Sequence, residues 1–141
     1  MLLKIEIDAI GAVEALDGVG ATVTSEGLAN AAGAFAIDRI LKRTRSGKDV
    51  NDNLFAPYSS AYRRKKGGTV NLSNSGAMLE SLGYQANSSI EATVTCSSEI
   101  AQYHEDGTTK MPQRQFVGLS EKDKEDMIEE IFVRPLKNLI S

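Results

Sequence analysis

Apolar and polar residues alternate at the start of the chain. Leu3, Ile5 and Ile7 fall on one face of an extended segment, and Lys4, Glu6 and Asp8 on the other. This period of two predicts a half-buried strand over 2–8. Residues 9–23 are mostly small and include Gly11, Gly18 and Gly20. They predict a weak helical turn or a loop, because glycine disfavours a helix interior by about 1 kcal/mol.

The period then changes. Leu28, Ala32, Phe35, Ala36 and Ile40 recur at helical spacing, and Ile37 and Leu41 widen the stripe. They predict a long helix over about 25–44, capped by Thr24 or Ser25, with Glu26 in its first turn and Lys42 and Arg43 in its last. Ala31, Ala32 and Gly33 leave room for another backbone to approach closely. Residues 45–71 break the pattern with Ser46-Gly47, Asn51-Asp52-Asn53 and Pro57, and predict a loop, part of it mobile in an isolated subunit. Residues 72–82 read as a short helix capped by Ser73 or Ser75, with Leu79 and Leu82 inward.

From 83 to 97 the period is two again. Tyr84 and Ala86 form one arm, Asn87-Ser88-Ser89 the turn, and Ile90, Ala92, Val94 and Cys96 alternate with polar residues on the other arm. One apolar face and one polar face predict an antiparallel hairpin. Residues 98–119 predict a loop or a long hairpin bending at Gly107, with a further strand over 111–117. A final helix begins at Ser120, where Ser120 and Asp123 stand at capping-box spacing. Ile128, Ile131 and Phe132 make its apolar face, Pro135 ends or kinks it, and Leu136, Leu139 and Ile140 form an apolar tail. The sum is an α+β fold: a small antiparallel sheet packed on a long N-terminal helix and a C-terminal helix, in a single domain over 1–141.

Composition narrows the class of function. The chain has 141 residues, 41% hydrophobic and 25% charged, with a net charge of −3. These are ordinary values for a folded domain, and the chain as a whole is not a basic nucleic-acid binder. The charge is unevenly spread. Between 42 and 66 there are eight basic residues and two acids, including the run Arg63-Arg64-Lys65-Lys66. The last helix is acidic, with Glu125, Asp126 and Glu129 among its carboxylates. No apolar run is long enough for a membrane span or a signal peptide.

Candidate chemistry is sparse. Cys96 is the single cysteine and falls in an apolar strand set, which suits a small buried hydrophobe. His104 is the single histidine and precedes Glu105 and Asp106. A metal site needs more ligands than this, and a general acid–base role for His104 has no second base or phosphate loop beside it. A turn-proximal histidine with a structural hydrogen bond fits better. The expectation is a protein without metal, cofactor or catalytic residue.

One stretch carries a family resemblance. Ala101-Gln102-Tyr103-His104-Glu105-Asp106-Gly107, followed by Met111-Pro112-Gln113-Arg114-Gln115-Phe116-Val117-Gly118-Leu119-Ser120, resembles the phage virion morphogenesis family. Upstream, Ala56-Pro57-Tyr58-Ser59, a basic stretch, and Leu72 through Ser75-Gly76 to Leu79 and Ser81-Leu82 are similar to it as well. The family's members are tail-completion or head–tail joining proteins of tailed phages and prophages. The resemblance marks Ser75, Gly76, His104, Gly107, Pro112, Arg114 and Phe116 as signature positions. Gln113 and Gln115 replace the small residue and the second proline that the family places around the arginine.

The resemblance implies a structural virion protein of the neck, acting as one subunit of a homo-oligomeric ring, expected as a hexamer. Its implied partners are copies of itself, other neck, tail-tube or connector proteins, and DNA passing through the lumen. No membrane is implied, and the implied site of residence is the virion, after synthesis in the bacterial cytoplasm. Arg63, Arg64, Lys65 and Lys66 on one copy and Glu125, Asp126 and Glu129 on the next supply complementary faces. Two alternatives stand beside this reading: a small nucleic-acid-binding module using 63–66, and a small hydrolase or toxin centred on His104.

Overall fold

The computed structural model describes residues 2–6, 25–59, 72, 76–87 and 91–134, and the backbone alone at 2–6, 25–28, 132 and 133. Its elements are β1 (Leu2–Glu6), α1 (Ser25–Arg45), α2 (Ala77–Glu80), β2 (Leu82–Ala86), β3 (Glu91–Cys96), α3 (Glu99–Asp106) and α4 (Glu121–Ile128). The last helix widens into a π-helical turn over Glu129–Val133. The class is α+β, as the alternation of periods predicts.

The sheet has three strands in the order β1-β3-β2, both pairs antiparallel. Its register places Leu3 and Tyr84 opposite Val94, and Ile5 and Ala86 opposite Ala92. These positions share one pleat face, and on β3 that face is fully buried: Ala92, Val94 and Cys96 alternate with half-buried Glu91, Thr93 and Thr95. The hairpin closes with Asn87 N–H donating to the Glu91 carbonyl at 2.9 Å.

Helix α1 lies across β2 and β3. The apolar residues it buries completely, Ala29, Ala32, Ala36 and Ile40, are spaced three and four apart on one face. Three alanines in that stripe let the helix approach the sheet closely, and Ile40 belongs to the same core as Phe116 and Met127. Gly33 serves this close approach, but it faces a side chain and not a backbone. A Cβ built there would lie 2.4 Å from Cδ2 of Tyr84 and 3.0 Å from its Cβ.

A sign reversal should follow from that contact. Gly33→Ala should destabilise the protein, because the Tyr84 ring must move. In a Tyr84→Gly background, which removes the Tyr84 Cβ as well as the ring, the same substitution should stabilise it by about 1 kcal/mol, the helix-propensity difference. Denaturant titration of the four proteins checks this. Additive effects would show that the ring and the glycine are not coupled.

Several expectations are corrected. No strand forms over 111–117. That segment runs without ladder pairing, and the residues before it, read as loop or hairpin, form helix α3. The helix is legible afterwards: Ser98 at its N-cap, Glu99 in its first turn, Ala101, His104 and Glu105 buried on one face, and Gly107 just past its end. The helix expected over 72–82 shrinks to Ala77–Glu80 and starts behind Gly76, whose φ of 84° is left-handed. Leu82 belongs instead to β2. On the last helix Met127 is the buried apolar residue among those described, with Ile131 partly buried one turn on and Ile128 half exposed, while the expected Phe132 side chain lies outside the described residues.

The first half of the expected 45–71 loop is a built structure. Gly47 turns the chain at φ 85°, Lys48 and Leu54 pair across a small antiparallel bridge, and Phe55 N–H donates to the Gly47 carbonyl. The Asp49 carboxylate accepts from the N–H groups of Asn51 and Asn53, which holds the tip. Phe55 is buried. The expectations for 9–23, for the Thr24 cap, for Ser73, Ser88 and Ser89, for Ile90, for 60–71 and for Pro135 onward fall outside the described residues, as do Ile7 and Asp8 of the first strand.

Candidate interaction site

Five of the described signature positions, His104, Gly107, Pro112, Arg114 and Phe116, lie in or against one part of the molecule, the segment 107–119 and its supports. Its first support is α3. The Glu105 side chain is buried, and its Oε1 accepts from the N–H groups of both Phe116 and Val117 at 2.8 Å. One carboxylate oxygen thus replaces the strand partner that this backbone lacks. Burial pushes the Glu105 pKa up, and the two N–H donors pull it back only in part. His104, also buried, sets its ring edge-to-face on Phe116, and its carbonyl accepts from Arg114 N–H at 2.6 Å.

Gly107 makes the turn between helix and segment. Its φ is 73°, and a Cβ there would stand 3.0 Å from the Gln113 nitrogen and 3.3 Å from the Met111 carbonyl oxygen. Both neighbours are backbone, so the position requires glycine for conformation and for space. Beyond it, Thr108 and Met111 exchange backbone bonds and Pro112 begins the return.

Arg114 ties the segment to the region after α1. It is buried, its Nε donates to the Ala56 carbonyl at 2.8 Å and its Nη2 to the Pro57 carbonyl at 3.0 Å, and the guanidinium lies over the Tyr58 ring. Burial lowers its pKa, and Tyr58 acts the other way. Val50 N–H donates to the Gln115 carbonyl, adding a second tie.

Arg43 closes the arrangement from α1. Its Nη2 donates to the carbonyls of Phe116 and Gly118 at 2.9 and 2.8 Å, and its Nη1 meets the Asp123 carboxylate. The predicted capping box is present: Ser120 Oγ accepts from Asp123 N–H and the Asp123 carboxylate accepts from Ser120 N–H. The same carboxylate therefore caps α4 and neutralises a buried arginine. Burial lowers the Arg43 pKa, and Asp123 is the largest influence against it.

The basic excess between 42 and 66 is accordingly smaller at the surface than the sequence count implies, since Arg43 is an internal residue. The acidic face of the last helix is also partly committed. Asp126 pairs with Arg39 at 2.9 Å, and Arg39 in turn covers the Phe35 ring. Glu125 and Glu129 are exposed. Arg63, Arg64, Lys65, Lys66 and Ser75 lie outside the described residues. Cys96 is buried with Ser81 Oγ 3.2 Å from its sulfur.

Sequence reasoning missed Arg43, Glu105 and Asp123 as internal residues. The available signal was their helical spacing from buried neighbours: Arg43 stands three residues after Ile40, Glu105 four after Ala101, and Asp123 four before Met127. Among the described residues no group of three or more His, Cys, Asp or Glu side chains could hold a metal ion, and no helix is long and apolar enough to cross a membrane. Comparison with protein-family models, with curated proteins and with solved structures returned no match.

Proposed function

We propose that this chain is a structural, non-enzymatic subunit of a tailed phage or prophage particle. It acts in tail completion or head–tail joining as one member of a homo-oligomeric ring in the neck, resident in the virion. The observation that supports this reading is the use made of the positions carrying the family resemblance. His104, Gly107, Arg114 and Phe116 all serve to hold one backbone segment, which belongs to no strand, at a fixed place on the domain. Loops positioned by a rigid scaffold are where proteins most often present contact surfaces. In a ring, each copy would bury one face on the next by a rotation that closes.

The charge asymmetry supplies the assembly contact: Arg63, Arg64, Lys65 and Lys66 on one copy against Glu125 and Glu129 on its neighbour. Asp126 is withdrawn from that face by Arg39. Native mass spectrometry and negative-stain microscopy over a range of protein concentrations, with and without a tail-tube or connector partner, test the reading. Closed rings that weaken at high salt are expected, because the Debye length falls to about 3 Å at 1 M. Serine at all four basic positions, or lysine at Glu125 and Glu129, should impair assembly and leave the subunit folded. A chain that remains monomeric throughout, alone and with partner, would overturn the proposal. Salt-sensitive DNA binding by that monomer would favour a nucleic-acid module instead.

A further inference from the structure

A cleft of about 460 Å³ opens between α3, the segment after Gly107 and the chain around Tyr58. This size is ordinary for a small-ligand site. Much of its wall is apolar, with Leu72, Met78, Ile100, Met111 and Pro112 contributing. Its charged groups, among the described residues, are of one sign. Lys110 and Arg114 line it, and among the described residues no aspartate or glutamate does. The Glu80 carboxylate stands beside Gly76 at the rim, and Glu99 is exposed on the first turn of α3 outside the lining.

Arg114 is the central feature. Its Nε and Nη2 are occupied by the Ala56 and Pro57 carbonyls, and Nη1 makes no hydrogen bond among the described residues. A guanidinium so fixed is a pre-oriented donor, since the bonds that hold it remove the rotamer freedom a ligand would otherwise have to restrain. Lys110 is exposed and lines the cleft, and the amino end of α3 at Ser98 adds the positive end of its dipole. Ile100 continues the apolar wall onto the surface, 54% exposed, with Tyr103 one turn further at 51%.

We infer that this cleft binds a carboxylate carried on an apolar body, the carboxylate on Arg114 Nη1 and Lys110 and the apolar part against Ile100, Met78 and Met111. The chemistry fits either a free organic acid or an acidic side chain beside an apolar one in a protein segment. The inference does not depend on ring formation.

The test uses the full chain and three probes of one shape: 4-phenylbutyrate, 4-phenylbutanol and 4-phenylbutylamine. Amide shifts in 1H–15N spectra follow binding. The acid should perturb Ser98, Ile100, Lys110 and Met111 and bind at least about tenfold more tightly than the alcohol, the factor expected for one charge-assisted hydrogen bond. Lys110→Glu should weaken the acid about tenfold and leave the alcohol unchanged, and Ile100→Asp should weaken both. Both positions are exposed, so these variants should keep the native spectrum. Equal binding of acid and alcohol, preference for the amine, or no shift at these amides with any probe would each overturn the inference. N-acetyl-Phe-Glu-amide provides the second arm. Tighter binding than the free acid identifies a protein segment as the natural source of the carboxylate, and weaker binding identifies a free acid.

Discussion

Replacing Asp123 with alanine should lower stability by about 3–5 kcal/mol, the cost of leaving a buried charge without its partner. The Arg43 side chain is 4% exposed and that of Asp123 7%, so water cannot take the place of the lost carboxylate. The substitution also removes the acceptor for Ser120 N–H, and caps contribute about 1 kcal/mol. For a chain of this length the melting temperature should fall by roughly 10 °C or more. Asp126→Ala is the control. It removes a carboxylate from the neighbouring pair with Arg39, where both partners are partly solvated, and should cost within about 1 kcal/mol. The double variant Arg43→Met with Asp123→Ala should cost less than the sum of the singles. A loss for Asp123→Ala no larger than that for Asp126→Ala would show that Arg43 is not held as described.

Glu105→Ala should cost about 2–5 kcal/mol, because it leaves the buried N–H groups of Phe116 and Val117 without an acceptor. Glu105→Gln keeps an oxygen for both donors and should cost much less, and its difference from the native protein should depend on pH in a fixed direction. The folded-state pKa of Glu105 is raised, chiefly by burial. The folded state therefore holds this proton more tightly than the unfolded chain, and the stability so gained is complete below the unfolded value near about 4.3. It is lost as the pH rises through the folded value. The glutamine variant carries no such titration, so it should gain on the native protein between pH 4 and 7. Unfolding titrations of both proteins at four pH values in that window measure the gap. A glutamine variant that instead loses ground as the pH rises would show that the two N–H donors outweigh burial.

The elements built from apolar periodicity were readable from the sequence. The α1 stripe, the β2–β3 hairpin with its buried Ala92, Val94 and Cys96, and the Ser120–Asp123 box all stand where the spacing puts them. The region 98–119 was not readable, for one physical reason. Its interior is polar. Glu105, His104 and Arg114 are buried by virtue of partners 8 to 58 residues away, and a reading that assigns charge to the surface sends them outward. The same habit places Arg43 in a surface charge count, although its partners lie more than seventy residues further along the chain. Glycine was a better guide. Gly107 marks a turn in both readings, because the requirement for positive φ is local.

The support of the 107–119 segment by side chains has a consequence for the order of folding. Backbone ladders and helices can grow residue by residue, but Phe116 and Gly118 are held by a guanidinium 73 and 75 positions earlier in the chain. Closing loops of that length carries a large entropic cost before any contact rewards it. The segment can therefore settle only after α1 has docked on the hairpin and α3 has formed. It should be among the later parts of the domain to order, because its bonds reach back to Arg43 on α1 and Glu105 on α3.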